Sequence, residues 1–323
     1  MNALKRAVPE ARLTFLIYKE FAPLLEGFPH IDSVIELDRS HFRGLRPQIL
    51  LPAAVRLLRA LRRKRFDLTI DFQGFGETGL ISWWTGAAHR WGGVYRSARG
   101  WPYTRGVRRD TNLHAIDYQL EILNRGGGIP AAPLLNQFTV PLTAREEARR
   151  ILQDWNMKLD RPTLFIQPFS NGPHKNWPLK GYLEVAKHWK ARGSQVMFGG
   201  GPGDRPQLEI AREQGFSVAA GSPLLVSAAL ADLASVVLGG DTGLLHLAVA
   251  MGKRVVMIIN STSSGSCFPY AHPDWAVAPG PGGNLSSVQP GSVIAACARA
   301  LAEVQKGRGE NEPGSHPAAL KAL

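Results

Sequence analysis

The chain has 323 residues, 44% of them hydrophobic and 20% charged, which is enough for two domains with separate cores and excludes wholesale disorder. Its two cysteines, Cys267 and Cys297, exclude a disulfide framework or a cysteine-based zinc site and are typical of a reducing cytoplasm. The net charge is +12, of which residues 1–140 carry +8 (20 Lys and Arg against 12 Asp and Glu), so the first half favours an anionic partner.

The first half alternates strand and helix patterns. Apolar runs predict buried strands at 13–17, 34–37 and 68–70. Residues 52–65 predict a basic amphipathic helix, and a helix over roughly 112–124 is predicted to end at the glycines 126–128. Residues 129–142 are rich in proline and poor in charge, which predicts a linker.

The second half begins with Thr143 and Glu146, whose spacing predicts a capping box at a helix N-terminus. Further elements are predicted as strands at 164–166, 195–198, 236–238 and 255–259, and as helices at 179–191 and 243–251. The alternation predicts an α/β fold with a parallel sheet and helices on both faces. We therefore expect domains at 1–140 and 141–305 and a flexible tail at 306–323.

The strongest chemical signal is the segment 239–246, Gly-Gly-Asp-Thr-Gly-Leu-Leu-His, between a predicted strand and a helix. Asp241 and Thr242 are both favourable N-cap residues, and a helix N-terminus with exposed N–H groups binds phosphate. His246 lies one turn further and is within reach of the same anion. The alternative is an ordinary capped helix with a half-buried histidine.

Two other loops follow predicted strands, at the strand ends where open α/β sheets bind ligands. Ser170 and Lys175 lie in the polar loop 167–178, and Lys175 suits a diphosphate or a departing phosphate, unless it is only a surface lysine. Trp177, in the same loop, is predicted to have a packing role. The glycine loop 199–204 ends in Asp204, which either accepts a hydrogen bond from a ribose hydroxyl or, as we favour, caps the next helix.

Several catalytic signatures are absent from the sequence. It contains no His-Glu-x-x-His, no paired-cysteine metal spacing, no Gly-x-Ser-x-Gly elbow and no P-loop. The Asp-x-Asp pair that holds a divalent metal in many nucleotide-sugar enzymes is also missing, with Glu36-Leu37-Asp38 as the nearest match. We therefore expect no metal and no cofactor.

In combination, five motifs resemble those of glycosyltransferase family 9, the heptosyltransferases of lipopolysaccharide core assembly. They are Asp-Thr-Gly-x-x-His-Leu at 241–247, Lys-x-Trp-Pro at 175–178, Gly-Gly-Pro-Gly-Asp at 200–204, Asp-x-Gln-Gly at 71–74 and His-Ala-x-Asp at 114–117. The resemblance covers nearly the whole chain. It implies a glycosyltransferase-B fold, with two Rossmann-like domains facing across a cleft, and metal-independent, inverting transfer of heptose from ADP-heptose.

The resemblance also implies roles for individual residues. Thr242, Gly243 and His246 are expected to contact the donor diphosphate, and Asp241 to order that loop by capping. Lys175 is expected to stabilise the departing ADP, in place of a metal. The expected donor site also includes Ser170 and Asp204.

The start of the chain departs from the family pattern. Family members open with a strand and a Gly-Asp loop carrying an aspartate proposed as the catalytic base, whereas residues 1–9 match the helix that follows that loop. We therefore expect the first strand and the base to be absent from this chain, and the chain as given to be a poor catalyst that an upstream extension restores. Asp71 is not assigned as a substitute base.

The basic first half suits an inner-core acceptor, an anionic lipid-linked glycan with acidic sugars and phosphates. Arg105, Arg108 and Arg109, together with Gln73, are expected to bind it, although an ordinary solvated basic face is the alternative for any one arginine. The helix 52–65 suits an anionic membrane surface. Because no apolar run approaches the roughly 20 residues that span a bilayer, we expect a cytoplasmic protein, peripheral to the inner membrane.

Two other classes of function are compatible with parts of this pattern. One is a glycosyltransferase-B enzyme with a different nucleotide sugar, or an epimerase of that fold. Another is a donor-binding protein with weak or no catalysis, because the base is missing. Nucleic acid is not an expected partner, since only the charge suggests it and the tryptophans do not alternate with basic residues in a stacking pattern.

Overall fold

A computed structural model describes residues 1–28, 30–38, 47–130, 138–261 and 267–310 of the chain. The chain divides into two compact units, the first formed by Met1–Leu134 and the second by Leu135–Thr262 with Cys267–Leu323. In the described residues, no helix is long and apolar enough to cross a membrane.

In its described residues, the first unit has five strands in two parallel sheets. Its strands are β1 (Thr14–Tyr18), β2 (Ser33–Leu37), β3 (Leu68–Asp71), β4 (His89–Val94) and β5 (Arg105–Arg108). Its helices are α1 (Asn2–Ala7), α2 (Pro47–Arg63), α3 (Gly76–Trp84) and α4 (Ala115–Gly127). Strand β1 pairs with β2, while β3, β4 and β5 form the second sheet in that order.

Helix α4 packs on the second of these sheets through a glycine-rich end. A Cβ atom at Gly126 or Gly127 would lie 2.5 Å or 2.1 Å from the Trp91 indole of β4, so only glycine allows this approach. Gly128 then ends the helix with a φ of +68°, a left-handed conformation that glycine adopts without strain. The predicted helix end at this glycine run is therefore confirmed.

The described part of the second unit contains one six-stranded parallel sheet and the helices that pack on it. Its strands are β6 (Thr163–Gln167), β7 (Gln195–Gly200), β8 (Ser217–Ala220), β9 (Val236–Gly240), β10 (Val255–Ile258) and β11 (Ala276–Val277), in the order β11-β10-β9-β6-β7-β8. Its helices are α5 (Leu142–Asp154), α6 (Leu179–Ala191), α7 (Arg205–Glu213), α8 (Leu224–Leu233), α9 (Gly243–Ala250) and α10 (Pro290–Glu310). Consecutive residues of β6 are all buried, which requires cover on both faces of the sheet. The predicted parallel sheet is confirmed.

Two predicted boundaries differ from the structure. The capping box of Thr143 and Glu146 is wrong: α5 begins at Leu142 after Pro141, and no side chain caps it. Pro141 occupies the N-cap position, so Thr143 already lies inside the first turn, where its side chain cannot cap the helix. Helix α10 continues to Glu310, beyond the predicted start of the tail at 306. Residues 131–137 of the predicted linker and 311–323 of the tail lie outside the described residues.

Candidate active site

The candidate site lies in the six-stranded sheet of the second unit, at the point where the strand order reverses direction. From β6 the chain proceeds through β7 and β8 toward one edge, whereas β9, on the other side of β6, continues through β10 and β11 to the opposite edge. Gln167 at the end of β6 is in register with Gly239 of β9. The loops that follow these two strands therefore leave the sheet side by side, the position at which open α/β sheets bind ligands.

Two glycines allow these loops to approach each other. A Cβ atom at Gly239 would lie 2.5 Å from the backbone oxygen of Gln167, and one at Gly240 would lie 3.1 Å from the backbone oxygen of Lys175. A side chain at Gly239 is therefore excluded, and one at Gly240 would require the lysine loop to move. The glycine pair brings the lysine loop against the start of α9.

The N-terminus of α9 is capped by Thr242, whose Oγ1 accepts a hydrogen bond from the Leu245 N–H at 3.3 Å. The predicted capping role of Asp241 is wrong, because its carboxylate turns away from the helix N–H groups to two other side chains. A Cβ atom at Gly243 would meet no atom within 4 Å, so the space beside the first turn is open. This end of α9 can receive an anion.

Asp241 joins Lys175 and His246 into one cluster. The Lys175 Nζ donates to Asp241 Oδ2 at 2.7 Å, and the His246 Nε2 lies 2.9 Å from Asp241 Oδ1. An ionised carboxylate only accepts hydrogen bonds, so Nε2 carries the proton. Sequence analysis selected all three residues for the donor site, but not these bonds between them.

The charges of the cluster follow from its hydrogen bonds. Burial alone would raise the pKa of Asp241, but the hydrogen bonds from His246 and Lys175 outweigh burial and lower that pKa to about 2. The hydrogen bond to Asp241 also raises the pKa of Lys175. At neutral pH the cluster therefore combines an ammonium group and a carboxylate with a histidine.

The low pKa of Asp241 predicts a pH-dependent contribution to stability. Because the pKa falls from the ordinary value of 3.8 to about 2, the stabilisation is present above 3.8 and is lost as pH falls toward 2. We expect the difference in Tm between the protein and its Asp241→Asn variant to shrink over this interval, in thermal unfolding followed by circular dichroism. A difference that grows as pH falls would contradict the assignment.

Ser170 and Asn176 close the loop that carries Lys175. The Ser170 N–H donates to Asn176 Oδ1 at 2.8 Å, and the Ser170 hydroxyl lies 2.8 Å from the same oxygen. Trp177 is buried, donates from Nε1 to the Val288 carbonyl at 3.0 Å, and packs as predicted. Ser170 thus orders the loop in this structure together with Asn176, which no sequence motif had indicated.

Asp204 closes the third loop of the predicted donor site. Its Oδ2 accepts a hydrogen bond from the Gly201 N–H at 2.7 Å, across the short turn that precedes α7. Its side chain makes no capping hydrogen bond to α7. The capping role favoured for Asp204 therefore applies to the turn and not to the helix.

In the first unit, Asp71 organises the loop after β3. Its Oδ1 accepts from the N–H groups of Gln73 and Gly74 at 2.9 and 3.0 Å, and its Oδ2 accepts from the Tyr103 hydroxyl at 2.6 Å. Burial, followed by this bond to Asp71, raises the pKa of Tyr103. Asp71 therefore orders the loop, whereas Gln73 is exposed on it.

A cleft of about 300 Å³ lies between the end of β5 and α4 in the first unit. Three arginines and two acidic residues line it, namely Arg108, Arg109 and Arg125 with Asp110 and Glu121, and Arg125 pairs with Glu121. The guanidinium of Arg109 lies 4.4 Å from the centre of the Tyr118 ring, which fixes its direction. Arg105 does not line this cleft, because residues three apart on a strand face opposite sides. The predicted arginine trio is therefore divided, and Arg125 is an addition.

Comparison with known proteins identifies the family. The model of glycosyltransferase family 9 (heptosyltransferase) matches residues 54–281, more than half of the chain. The chain belongs to glycosyltransferase family 9. This glycosyltransferase is 24% identical over 292 residues to lipopolysaccharide heptosyltransferase 2 of Salmonella typhimurium, covering 84% of this chain and 80% of that protein.

Two solved structures share the fold of this glycosyltransferase. A glycosyl transferase of family 9 from Veillonella parvula superimposes with a TM-score of 0.80 at 21% identity, over 94% of this chain and 92% of that one. The E. coli ADP-heptose lps heptosyltransferase II gives a TM-score of 0.76 at 20% identity, over 94% and 93% of the two chains. The glycosyltransferase-B fold predicted from the motifs is confirmed.

Proposed function

We propose that this glycosyltransferase transfers heptose from ADP-heptose to the inner core of lipopolysaccharide, with inversion and without a metal. The cluster of Lys175, Asp241 and His246 beside the open N-terminus of α9 carries the proposal. It offers the Lys175 ammonium group and the backbone N–H groups of the first turn of α9 to a diphosphate. The names of the similar proteins, lipopolysaccharide heptosyltransferase 2 and ADP-heptose lps heptosyltransferase II, support heptose and lipopolysaccharide as substrates.

The reaction requires stabilisation of the leaving group. As the bond between the anomeric carbon and the phosphate oxygen breaks, negative charge accumulates on the β-phosphate of ADP. Lys175 and the N–H groups at the start of α9 face that charge, and an interaction that strengthens as the charge develops lowers the barrier. Asp241 holds Lys175 and His246 in place. The acceptor hydroxyl attacks the opposite face of the sugar as the bond to the β-phosphate oxygen breaks, which inverts the anomeric carbon, and the hydroxyl proton passes to solvent water.

The proposal assigns stabilisation of the leaving group to Lys175 and the N–H groups of α9, in place of a metal. In the part of the chain that the structure describes, no three His, Cys, Asp or Glu side chains are grouped as metal ligands require. Both oxygens of Asp71 accept hydrogen bonds within its own loop. We therefore assign Asp71 to loop order and not to removal of the acceptor proton.

The arginine cleft of the first unit suits the acidic groups of the acceptor. We expect Arg108→Gln to raise the KM for the acceptor about 10- to 100-fold, the loss of one hydrogen bond to a charged group. The Kd for ADP should not change, because the donor cluster lies in the second unit. Steady-state kinetics and calorimetry measure the two quantities, with exposed Arg149→Gln as a charge-matched control. An unchanged KM would exclude Arg108 from acceptor binding.

A transfer assay tests the function itself. The protein is incubated with a Kdo–lipid A acceptor and ADP-heptose, and parallel reactions contain UDP-glucose or UDP-N-acetylglucosamine. Release of nucleotide and a mass increase of one heptose on the acceptor are expected with ADP-heptose alone, at a low rate because no side chain is assigned as the base. Transfer from a UDP-sugar would indicate a different donor, and tight ADP binding without transfer would indicate a donor-binding protein.

A further inference from the structure

A cluster of exposed tryptophans on the first unit lies outside the donor site and the arginine cleft. Trp83 and Trp84 end helix α3 and are 44% and 40% exposed, and Trp101 is 62% exposed. Leu80, 46% exposed, precedes Trp84 by one helical turn. Large apolar side chains scattered singly on a surface are ordinary, but four of them grouped together mark a site of interaction.

The tryptophan rings form one continuous surface, named here the tryptophan patch (Leu80, Trp83, Trp84 and Trp101). The Trp83 ring meets the Trp84 ring edge-on at 6.2 Å between centroids and the Trp101 ring at 5.7 Å. Ser82, on the side of α3 opposite Leu80 and Trp84, is buried, and its Oγ lies 2.6 Å from the Thr69 Oγ1 of β3. Leu80 and Trp84 therefore lie on the outward side of this helix.

Basic side chains adjoin the tryptophan patch at two points. The Arg62 Nη1 at the end of α2 donates to the Trp84 carbonyl at 3.1 Å, which joins the patch to the exposed basic run 62–65. The Arg90 Nε donates to the carbonyl of Pro102, the residue after Trp101, at 2.7 Å. The rim of the patch is thus cationic on these sides, and a second copy docking there by two-fold symmetry would place like charges together.

We propose that the tryptophan patch docks on an anionic lipid bilayer, with the indoles at the level of the headgroups and the basic run against lipid phosphates. Tryptophan favours the membrane–water interface because one part of its ring is apolar and its N–H donates a hydrogen bond. Each basic side chain near an anionic surface adds attraction that salt weakens. Docking requires neither donor nor acceptor, so vesicle binding can be tested independently of the transfer reaction.

Vesicle co-sedimentation of the full chain tests the proposal. Vesicles contain phosphatidylethanolamine with phosphatidylglycerol, or phosphatidylcholine alone. We expect binding to the anionic vesicles only, weakened about tenfold or more by Trp83→Ser with Trp101→Ser, through loss of buried apolar area. Arg63→Gln with Lys64→Gln should weaken binding about fivefold for each cation removed, and added salt should diminish this difference.

Matched variants on the second unit serve as controls. Leu159→Ser with Ile210→Ser removes two exposed apolar side chains, and Arg149→Gln with Lys187→Gln removes two exposed cations. Both should bind vesicles more tightly than the corresponding patch variants, with the apolar pair unchanged from the parent protein. Thermal unfolding verifies the fold, and Trp101→Ser alone, with a loss of several-fold, replaces the double variant if that variant does not fold.

Three results would overturn the proposal. The first is absence of binding by the parent protein to anionic vesicles, and the second is unchanged binding by the tryptophan variants. The third is a concentration-dependent dimer, detected by light scattering, that the same tryptophan substitutions dissociate without any effect on vesicle binding. That result would assign the patch to a second copy of the chain.

Discussion

Replacing Lys175 with alanine is expected to lower kcat about 10²- to 10³-fold, the usual effect of removing one group that stabilises charge in the transition state. The Kd for ADP should rise by a smaller factor, because the interaction with Lys175 strengthens as the leaving group acquires charge. Nucleotide release in steady state measures kcat, and calorimetry measures the Kd.

Two further variants separate this role from indirect effects. Lys175→Ala leaves the carboxylate of Asp241 without its ammonium partner, beside the expected diphosphate. Adding Asp241→Asn removes that repulsion, so the double variant should recover ADP affinity but not kcat. Lys180→Ala, on the exposed first turn of α6, is the matched control and should behave as the parent protein. Parent-like kinetics of Lys175→Ala would make Lys175 a surface residue.

Replacing Gly243 with valine is expected to weaken ADP binding about 10- to 100-fold, as estimated from loss of one hydrogen bond to a charged group. The valine methyl groups would enter the open space beside the first turn of α9, where the diphosphate is proposed to bind. The fold should persist, because no atom lies within 4 Å of the new Cβ and Gly243 has no positive φ. Calorimetry gives the affinity and thermal unfolding gives the Tm.

Gly76→Val is a matched control for this substitution. Gly76 is also the first residue of a short helix, α3, and a Cβ there likewise meets no atom within 4 Å. Because Gly76 lies in the first unit, its substitution should leave the Kd for ADP unchanged. A folded Gly243→Val variant with parent-like ADP affinity would exclude the N-terminus of α9 as the diphosphate site.

Much of the second unit was predictable because its patterns are local. Helix 179–191 was predicted with its observed bounds, and the strands at 195–198 and 236–238 differ only by glycines at their ends. Apolar runs separated by amphipathic segments depend on side-chain periodicity over a few residues. For the same reason the sequence alone indicated the strand-to-helix turns and the candidate donor residues on them.

The tertiary structure decided which of those residues meet. Lys175 and Asp241 are 66 positions apart, and they touch because β9 lies beside β6 in the sheet. A preference for capping suggested one partner for Asp241, but the nearby ammonium and imidazole groups bind its carboxylate instead. Arg105 and Arg108 point to opposite sides of their strand, so only Arg108 lines the cleft. The fold of the chain also brings the Trp101 ring against the Trp83 ring. Strand order and long-range packing determine such contacts, and local sequence periodicity does not specify either.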